Sequence, residues 1–349
     1  MSLFTLLPIE IRDLIVVMSG DISMINIIPG VSKKYLTENM KWTNNTLIYG
    51  PVQSGKTNKL IECLRETSGV RVLIIQNSLL VLKQYIQRLK NEKVKYCIVD
   101  SKNKIEKKEE CIYILMNNCY RKKIFIRSGI IAKYVIYDEA DISYKCGIYG
   151  KRSIYCTSTP LTMKVEFSQI IFIKEDAYYK NTSSLIIKSQ LDTMNHFIQQ
   201  DNGLMLFTKF HLQFDMKEQA YQMSKEMKDI PIVLLCNEKF LFINGKAKKI
   251  PTLKSSINNI IDNLPKKAVI ISHRMALRGL SFVSSDYKRH ITHQIIKVPI
   301  NNSSCLQSLR ILGKFKDTSD LYLGLDNLEQ FNNHLKKLSD FESLNTKNL

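Results

Sequence analysis

Thr46-Leu47-Ile48-Tyr49-Gly50-Pro51-Val52-Gln53-Ser54-Gly55-Lys56-Thr57 is the stretch that decides how this chain is read. Its first four residues form a short apolar run, as expected of a buried parallel strand, and Leu60, Ile61 and Leu64 follow at helical spacing. Between strand and helix the residues fit G-x-x-x-x-G-K-[ST] at every fixed position. The two glycines let the backbone curl so that its N–H groups face inward at the positive end of a helix, where phosphate oxygens bind. Gly50, Gln53, Ser54, Gly55, Lys56 and Thr57 are therefore the expected nucleotide-binding residues. Lys56 would reach the outer phosphates of ATP, and the Thr57 hydroxyl would hold Mg²⁺.

Working outward, apolar runs recur at Val70–Ile75, Val94–Val99, Cys111–Met116, Tyr134–Tyr137 and Ser153–Cys156, with helical stretches such as Leu79–Leu89 between them. Strands alternating with helices predict a mainly parallel sheet covered on both faces. The run ending at Tyr137 delivers Asp138-Glu139-Ala140-Asp141 to the C-terminal end of its strand, where α/β sheets place ligands. Asp138 would hold Mg²⁺ through water and Glu139 would polarise an attacking water. Taken alone, an acidic pair there is also an ordinary solvated strand end; sharing a sheet with Lys56 makes it chemical. Tyr155-Cys156-Thr157-Ser158-Thr159-Pro160 then places hydroxyls where they can bond those carboxylates and connect the site to a neighbouring domain.

Composition bounds the partners. At 349 residues the chain has room for two core-forming domains and a small addition. No apolar run is long enough to span a bilayer, and the N-terminus lacks a basic segment followed by an apolar one. The eight cysteines are scattered without a C-x-x-C pair, which argues against a zinc ribbon and against a disulfide framework. An intracellular, reducing setting follows as the expectation, in cytoplasm or nucleus, or in host cytoplasm or virion for a viral protein. Lys+Arg 51 against Asp+Glu 32 leaves +19, a balance that favours polyanions such as DNA or RNA.

The ordered G-x-x-x-x-G-K-T, D-E-A-D and T-S-T-P segments resemble motifs I, II and III of superfamily 2 helicases, the DEAD/DEAH-like nucleic-acid ATPases. That resemblance implies two RecA-like P-loop domains in tandem, an α/β architecture, here with a small N-terminal helical module. It also implies contacts to a single strand of DNA or RNA from Gln76 and Asn77, from Asn117 and Asn118, and from Thr208. In the second half, Gly203–Thr208 reads as a strand, Phe214–Met227 as a helix and Ile232–Cys236 as a strand. Lys239–Ile250 reads as a hairpin turning at Asn244-Gly245. Ser303–Gly313 reads as a helix from a serine cap to a glycine stop.

By resemblance, Arg278-Gly279 corresponds to motif V, and Gln307 with Arg310 to the glutamine and arginine of motif VI. Catalysis is thus assigned to Lys56, Asp138, Glu139, Arg310 and Arg278, with Arg274 as a further competitor for the cation that meets developing phosphate charge. The chain departs from pattern: Gln307-Ser308-Leu309-Arg310-Ile311-Leu312-Gly313-Lys314 replaces Q-x-x-G-R-x-G-R, and Ser281 stands where DEAD-box proteins carry aspartate. These departures resemble helicase-like proteins of large DNA viruses and phages.

Two further resemblances stay beside this one. Leu7–Ile11, Asp21-Ile22, Val31–Tyr35 and Trp42 resemble an F-box, which would dock a ubiquitin-ligase scaffold through residues 6–42; the other reading is a helical extension with Trp42 in a core. The Gly50–Thr57 and Asp138-Glu139 pair also resembles thymidine-kinase-like P-loop nucleoside kinases, which are shorter and usually carry a zinc ribbon. A third function class is a helicase-like scaffold with weak catalysis. The expected division is residues 1–42 as the F-box-like extension, 43–187 as the first RecA-like domain, and 188–349 as the second with a C-terminal helix. His273, His290 and His293 lack the spacing and partner set of a metal site.

Overall fold

The computed structural model describes residues 32–33, 42–100, 105–160, 163–173, 178–208, 213–235, 239–250, 257–272, 280–315 and 319–346. The F-box-like segment therefore lies outside the described residues, apart from 32–33 and Trp42. Trp42 is a core residue: it is buried, and its indole Nε1–H donates to Glu66 Oε2 at 3.0 Å.

The first sheet contains β1 (Ser32–Lys33), β2 (Thr46–Tyr49), β3 (Arg71–Ile75), β4 (Tyr96–Ile98), β5 (Ile112–Met116), β6 (Ala132–Asp138), β7 (Gly150–Thr157) and β8 (Gln169–Phe172). Their spatial order is β1-β8-β2-β7-β6-β3-β5-β4, and every pairing among them is parallel. The central strands β2, β3 and β5 are buried at every residue, as strands covered on both faces must be. Alternate residues serve opposite faces. Ile48, Leu73, Ile75, Ile114 and Ile136 pack with Leu60, Leu64, Tyr85 and Leu89 of the helices on one side. Leu47, Val72, Ile74, Tyr113, Val135 and Tyr137 pack with Phe125 and Ala140 on the other.

The chain then runs through β9 (Tyr179–Lys180) into a second sheet built from β10 (Leu185–Ser189), β11 (Gly203–Phe207), β12 (Ile232–Leu235), β13 (Lys239–Ile243), β14 (Lys246–Ile250), β15 (Lys267–Ser272), β16 (His293–Ile296) and β18 (Leu321–Leu325). Its order is β10-β18-β16-β11-β15-β12-β13-β14, parallel except for the terminal hairpin. Asn244 and Gly245 both take positive φ, as a two-residue hairpin turn requires. The short strand β17 (Gly313–Lys314) pairs back with β9, forming a ribbon between the sheets.

Helix starts follow local capping chemistry. Ser78, Asn118, Ser189 and Asn301 each accept a backbone N–H with the side chain, opening the helices Leu79–Asn91, Cys119–Arg127, Gln190–Gln199 and Asn302–Ser308. The C-terminal helix, Leu328–Thr346, buries Phe331 completely and lays Leu335 and Leu338 against the core. Among the described residues no helix is long and apolar enough to cross a membrane.

Two expectations need correction. The second sheet begins at Leu185, because Leu185–Ser189 pairs along its whole length with Leu321–Leu325; residues 185–187 belong to that sheet rather than to the first. The helix expected over Ser303–Gly313 starts from an Asn301 cap and ends at Ser308. It stops there because the Gln294 side chain donates to Ser308 O (2.6 Å) and accepts from Ile311 N (2.9 Å), replacing the next helical bonds.

His293 on β16 makes the second lobe acid-sensitive. Burial pushes its imidazole down to about 4, helped by His196, Lys188 and Lys267. The native state thus binds fewer protons than the unfolded chain between pH 4 and 6.5, so stability is complete above 6.5 and falls as pH drops toward 4. Urea unfolding at pH 7.5 and pH 5 should differ by on the order of 2 kcal/mol, and His293→Gln should flatten that difference. An unchanged pH profile in the variant would refute the assignment.

Candidate active site

The first strand–loop–helix unit folds as its residues dictate. Gly55 takes φ +95° at the N-terminus of the helix Lys56–Glu66, where no side chain caps the free N–H groups. A Cβ placed on Gly55 would meet no atom within 4 Å, so the loop is open on that side. The Ser54 hydroxyl is buried with no hydrogen-bond partner among the described residues. An open cradle, an uncapped helix start and an orphaned hydroxyl together fit a phosphate group. Lys56 Nζ donates to the loop carbonyls of Gly50 (2.9 Å) and Pro51 (2.5 Å). Thr57 follows in the first helical turn, half-buried.

Strand β2 lies one strand away from β6, with β7 between, so the loop and the acidic segment open onto the same end of the sheet. Asp138 ends β6, and Glu139 follows at φ 48°, a left-handed conformation that costs a non-glycine residue roughly 1–2 kcal/mol. Gln53 in the loop is held at φ 60°. Both carboxylates are buried. Burial pushes Asp138 up to about 7, and the adjacent Glu139 adds to it, while Tyr85 and Lys56 pull the other way. Burial likewise lowers the Lys56 ammonium, opposed by Cys156, Glu139 and Asp138 and reinforced by the Arg310 guanidinium. That last influence places Arg310, from the second lobe, within electrostatic reach of Lys56.

The lobes meet through named hydrogen bonds. Gln53 Nε2 donates to Arg310 O at 2.8 Å. Gln307 Nε2 donates both to Glu139 Oε2 (2.8 Å) and to Ser158 Oγ (2.7 Å). Ser303 Oγ donates to Asp141 Oδ2 (2.7 Å), whose other oxygen accepts from Thr157 Oγ1 (3.0 Å), and the Thr159 and Ser303 hydroxyls lie 2.8 Å apart. Tyr179 OH donates to Val52 O at 2.6 Å. The buried Arg310 guanidinium bonds Leu280 O (3.3 Å) and Gln307, by carbonyl and side chain. A cavity of about 110 Å³ opens beside the loop, lined by Tyr49, Val52, Ser158, Tyr179 and Leu309 among others.

Of the residues singled out from sequence, Gln53, Lys56, Asp138, Glu139, Gln307 and Arg310 come together here. Arg274, Arg278 and His273 lie outside the described residues. Gln76 and Asn77 follow β3, and Asn117 and Asn118 follow the neighbouring β5, with Asn118 Nδ2 donating to Asn77 Oδ1 at 3.1 Å. The Gln76 side-chain oxygen is buried without a partner among the described residues. Thr208 follows β11 in the other lobe and bonds Ile295 O. His290 stacks on Phe315, and His293 contacts His196 at 2.9 Å.

Ser303 and Tyr85 were not anticipated. Ser303 was legible: it lies four residues before Gln307, on the same helical face, and a serine at a helix start is easily read only as a cap. Tyr85 carried no signal beyond its apolar helical position.

No known protein family matches this sequence, and no curated protein does. Among solved structures, Saccharomyces cerevisiae Dbp5 bound to RNA and ADP BeF3 is similar at a TM-score of 0.53 and 10% identity, over 85% of this chain and 83% of that one. A DEAD box protein from the hyperthermophile Methanococcus jannaschii scores 0.40 at 15% identity, over 86% of each chain. Pif1 helicase from Bacteroides, in complex with ADP-AlF3 and ssDNA, scores 0.34 at 11% identity, over 86% of this chain and 94% of that one. The chain has the fold of the Dbp5 structure: two RecA-like α/β lobes in tandem.

Proposed function

We propose that this chain is a nucleic-acid-dependent ATPase that moves along or remodels a single strand of DNA or RNA. The observation that carries the reading is the convergence of Gln307 and Arg310, from one lobe, on Glu139 and the Lys56 loop of the other. In this reading the Gly50–Thr57 loop binds the triphosphate, and Thr57 and Asp138 would hold Mg²⁺. When bound, the metal neutralises phosphate charge and orients the transferred group. Glu139 orients the attacking water, with its carboxylate held by the Gln307 amide. Arg310 meets the charge that develops on the phosphate, and Arg278 is the alternative for that role. Support for a nucleic-acid partner comes from the +19 balance and from Dbp5, whose structure with this fold contains RNA and ADP BeF3. Gln76, Asn77, Asn117, Asn118 and Thr208 are the proposed strand contacts, directed at backbone rather than base edges, since a motor must tolerate every sequence.

ATP turnover measured with and without defined single strands of DNA and RNA tests this directly. Stimulation several-fold by at least one polymer, abolished by Lys56→Ala, is the expected outcome. Phosphorylation of a nucleoside with indifference to polynucleotide would establish the kinase reading instead, and negligible turnover in every condition the scaffold reading.

Two variants separate the roles across the cleft. Arg310→Ala should lower kcat about 10³-fold with nucleotide affinity nearly unchanged. Full loss in Arg278→Ala with none in Arg310→Ala would move the role to Arg278. Gln307→Ala leaves Glu139 and Ser158 without their shared donor and should cost about 10²-fold in kcat. Normal turnover in that variant would remove Gln307 from the chemistry.

A further inference from the structure

The edge of the first sheet carries a pair of thiols that the proposed ATPase does not use. Cys97 sits in the middle of edge strand β4, opposite Tyr113 of β5, and Cys111 lies two residues before Tyr113 on the same face of the pleat. Their sulfurs are 3.1 Å apart. A disulfide needs about 2.05 Å, so closure requires the two sulfurs to approach by roughly 1 Å. Two thiolates on one tetrahedral zinc would stand about 3.8 Å apart at ordinary Zn–S lengths, wider than this pair. Nor do the described residues contain a cluster of three or more metal-ligating side chains.

The two cysteines differ in access. Cys97 is half-buried, whereas Cys111 is buried. Burial pushes the Cys111 thiol up to about 12, with Cys97 adding to the rise, and the nearby Lys108 and Arg71 cations oppose it. Capping Cys97 would remove the part of that rise which Cys97 causes.

We propose that Cys97 and Cys111 form an oxidisable dithiol whose co-reactant is a small disulfide of the glutathione class. The Cys97 thiolate attacks one sulfur of the oxidised molecule, forming a mixed disulfide and releasing one thiolate. Cys111 then loses its proton and attacks the Cys97 sulfur; the mixed S–S bond breaks, and the second small thiol leaves. Two protein thiols are oxidised and one small disulfide is reduced to two thiols. The product pins edge strand β4 to β5, the strand that Asn117 and Asn118 follow.

The full chain, equilibrated with glutathione redox buffers of increasing oxidised fraction, is trapped with N-ethylmaleimide and mapped by peptide mass spectrometry. Cys97 and Cys111 should lose reactivity together and appear as one cross-linked peptide pair, with the exposed Cys119 as internal reference. The thermal midpoint should rise by several degrees, as expected on closing a loop of this length. Cys97→Ser and Cys111→Ser should each abolish the cross-link and the rise. Continued alkylation of both thiols in the oxidised buffer would overturn the proposal. So would Cys97 stopping at the mixed disulfide, or pairing with a different cysteine. These outcomes are read without ATP or nucleic acid and do not depend on the ATPase assignment.

Discussion

Two side-chain amides reach in opposite directions across the junction between the lobes. Gln53 leaves the phosphate-type loop to hold the carbonyl of Arg310, and Gln307 leaves the second lobe to hold Glu139 and Ser158. The Gln307 bonds are buried, and a buried polar group deprived of its partner costs about 1–3 kcal/mol. The lobes therefore fit together only when loop, acidic segment and second-lobe helix are all in register. Around this frame, Ser303, Asp141, Thr157 and Thr159 form a chain of hydroxyls and a carboxylate that satisfies itself across the same junction.

The electrostatics of the junction follow from dryness. Burial works against the charged forms of Lys56 and Asp138, and the Lys56 ammonium and the two carboxylates partly offset it. Glu139 adds to the rise of Asp138, and Arg310 adds to the lowering of Lys56. Together the two pairs balance. A phosphate with its own counter-cation would fit between them, because the helix start at Gly55 has no side-chain cap and the buried Ser54 hydroxyl has no partner among the described residues.

Much of this was legible in the residues. The parallel sheet followed from continuous apolar runs such as Val70–Ile75 and Cys111–Met116, and the hairpin from Asn244-Gly245. The loop and the acidic segment were readable because each is a local pattern in which spacing alone fixes geometry. What sequence could not give is pairing set by strand register. Cys97 and Cys111 look like two scattered hydrophobic cysteines until β4 and β5 are aligned, and Gln53 reads only as a nucleotide-binding residue until the second lobe brings the Arg310 carbonyl to it. The start of the second sheet was misplaced for the same reason: Leu185–Ser189 is assigned by Leu321–Leu325, more than a hundred residues later.

The break of the Ser303–Gly313 stretch at Ser308 decides how the second lobe presents its cation. A continuous helix would put Arg310 nearly one turn beyond Gln307 on the same face, its position dictated by helical periodicity. Instead the helix closes at Ser308, and the buried Gln294 amide holds the backbone on either side of Leu309 and Arg310. The position of Arg310 is therefore a property of a turn braced from β16, and its own carbonyl is the point at which the first lobe takes hold. A side chain attached to such a turn is coupled to the lobe junction through its backbone. The Gln53 hydrogen bond to the Arg310 carbonyl therefore links the loop to the turn that carries the cation, although they come from different lobes.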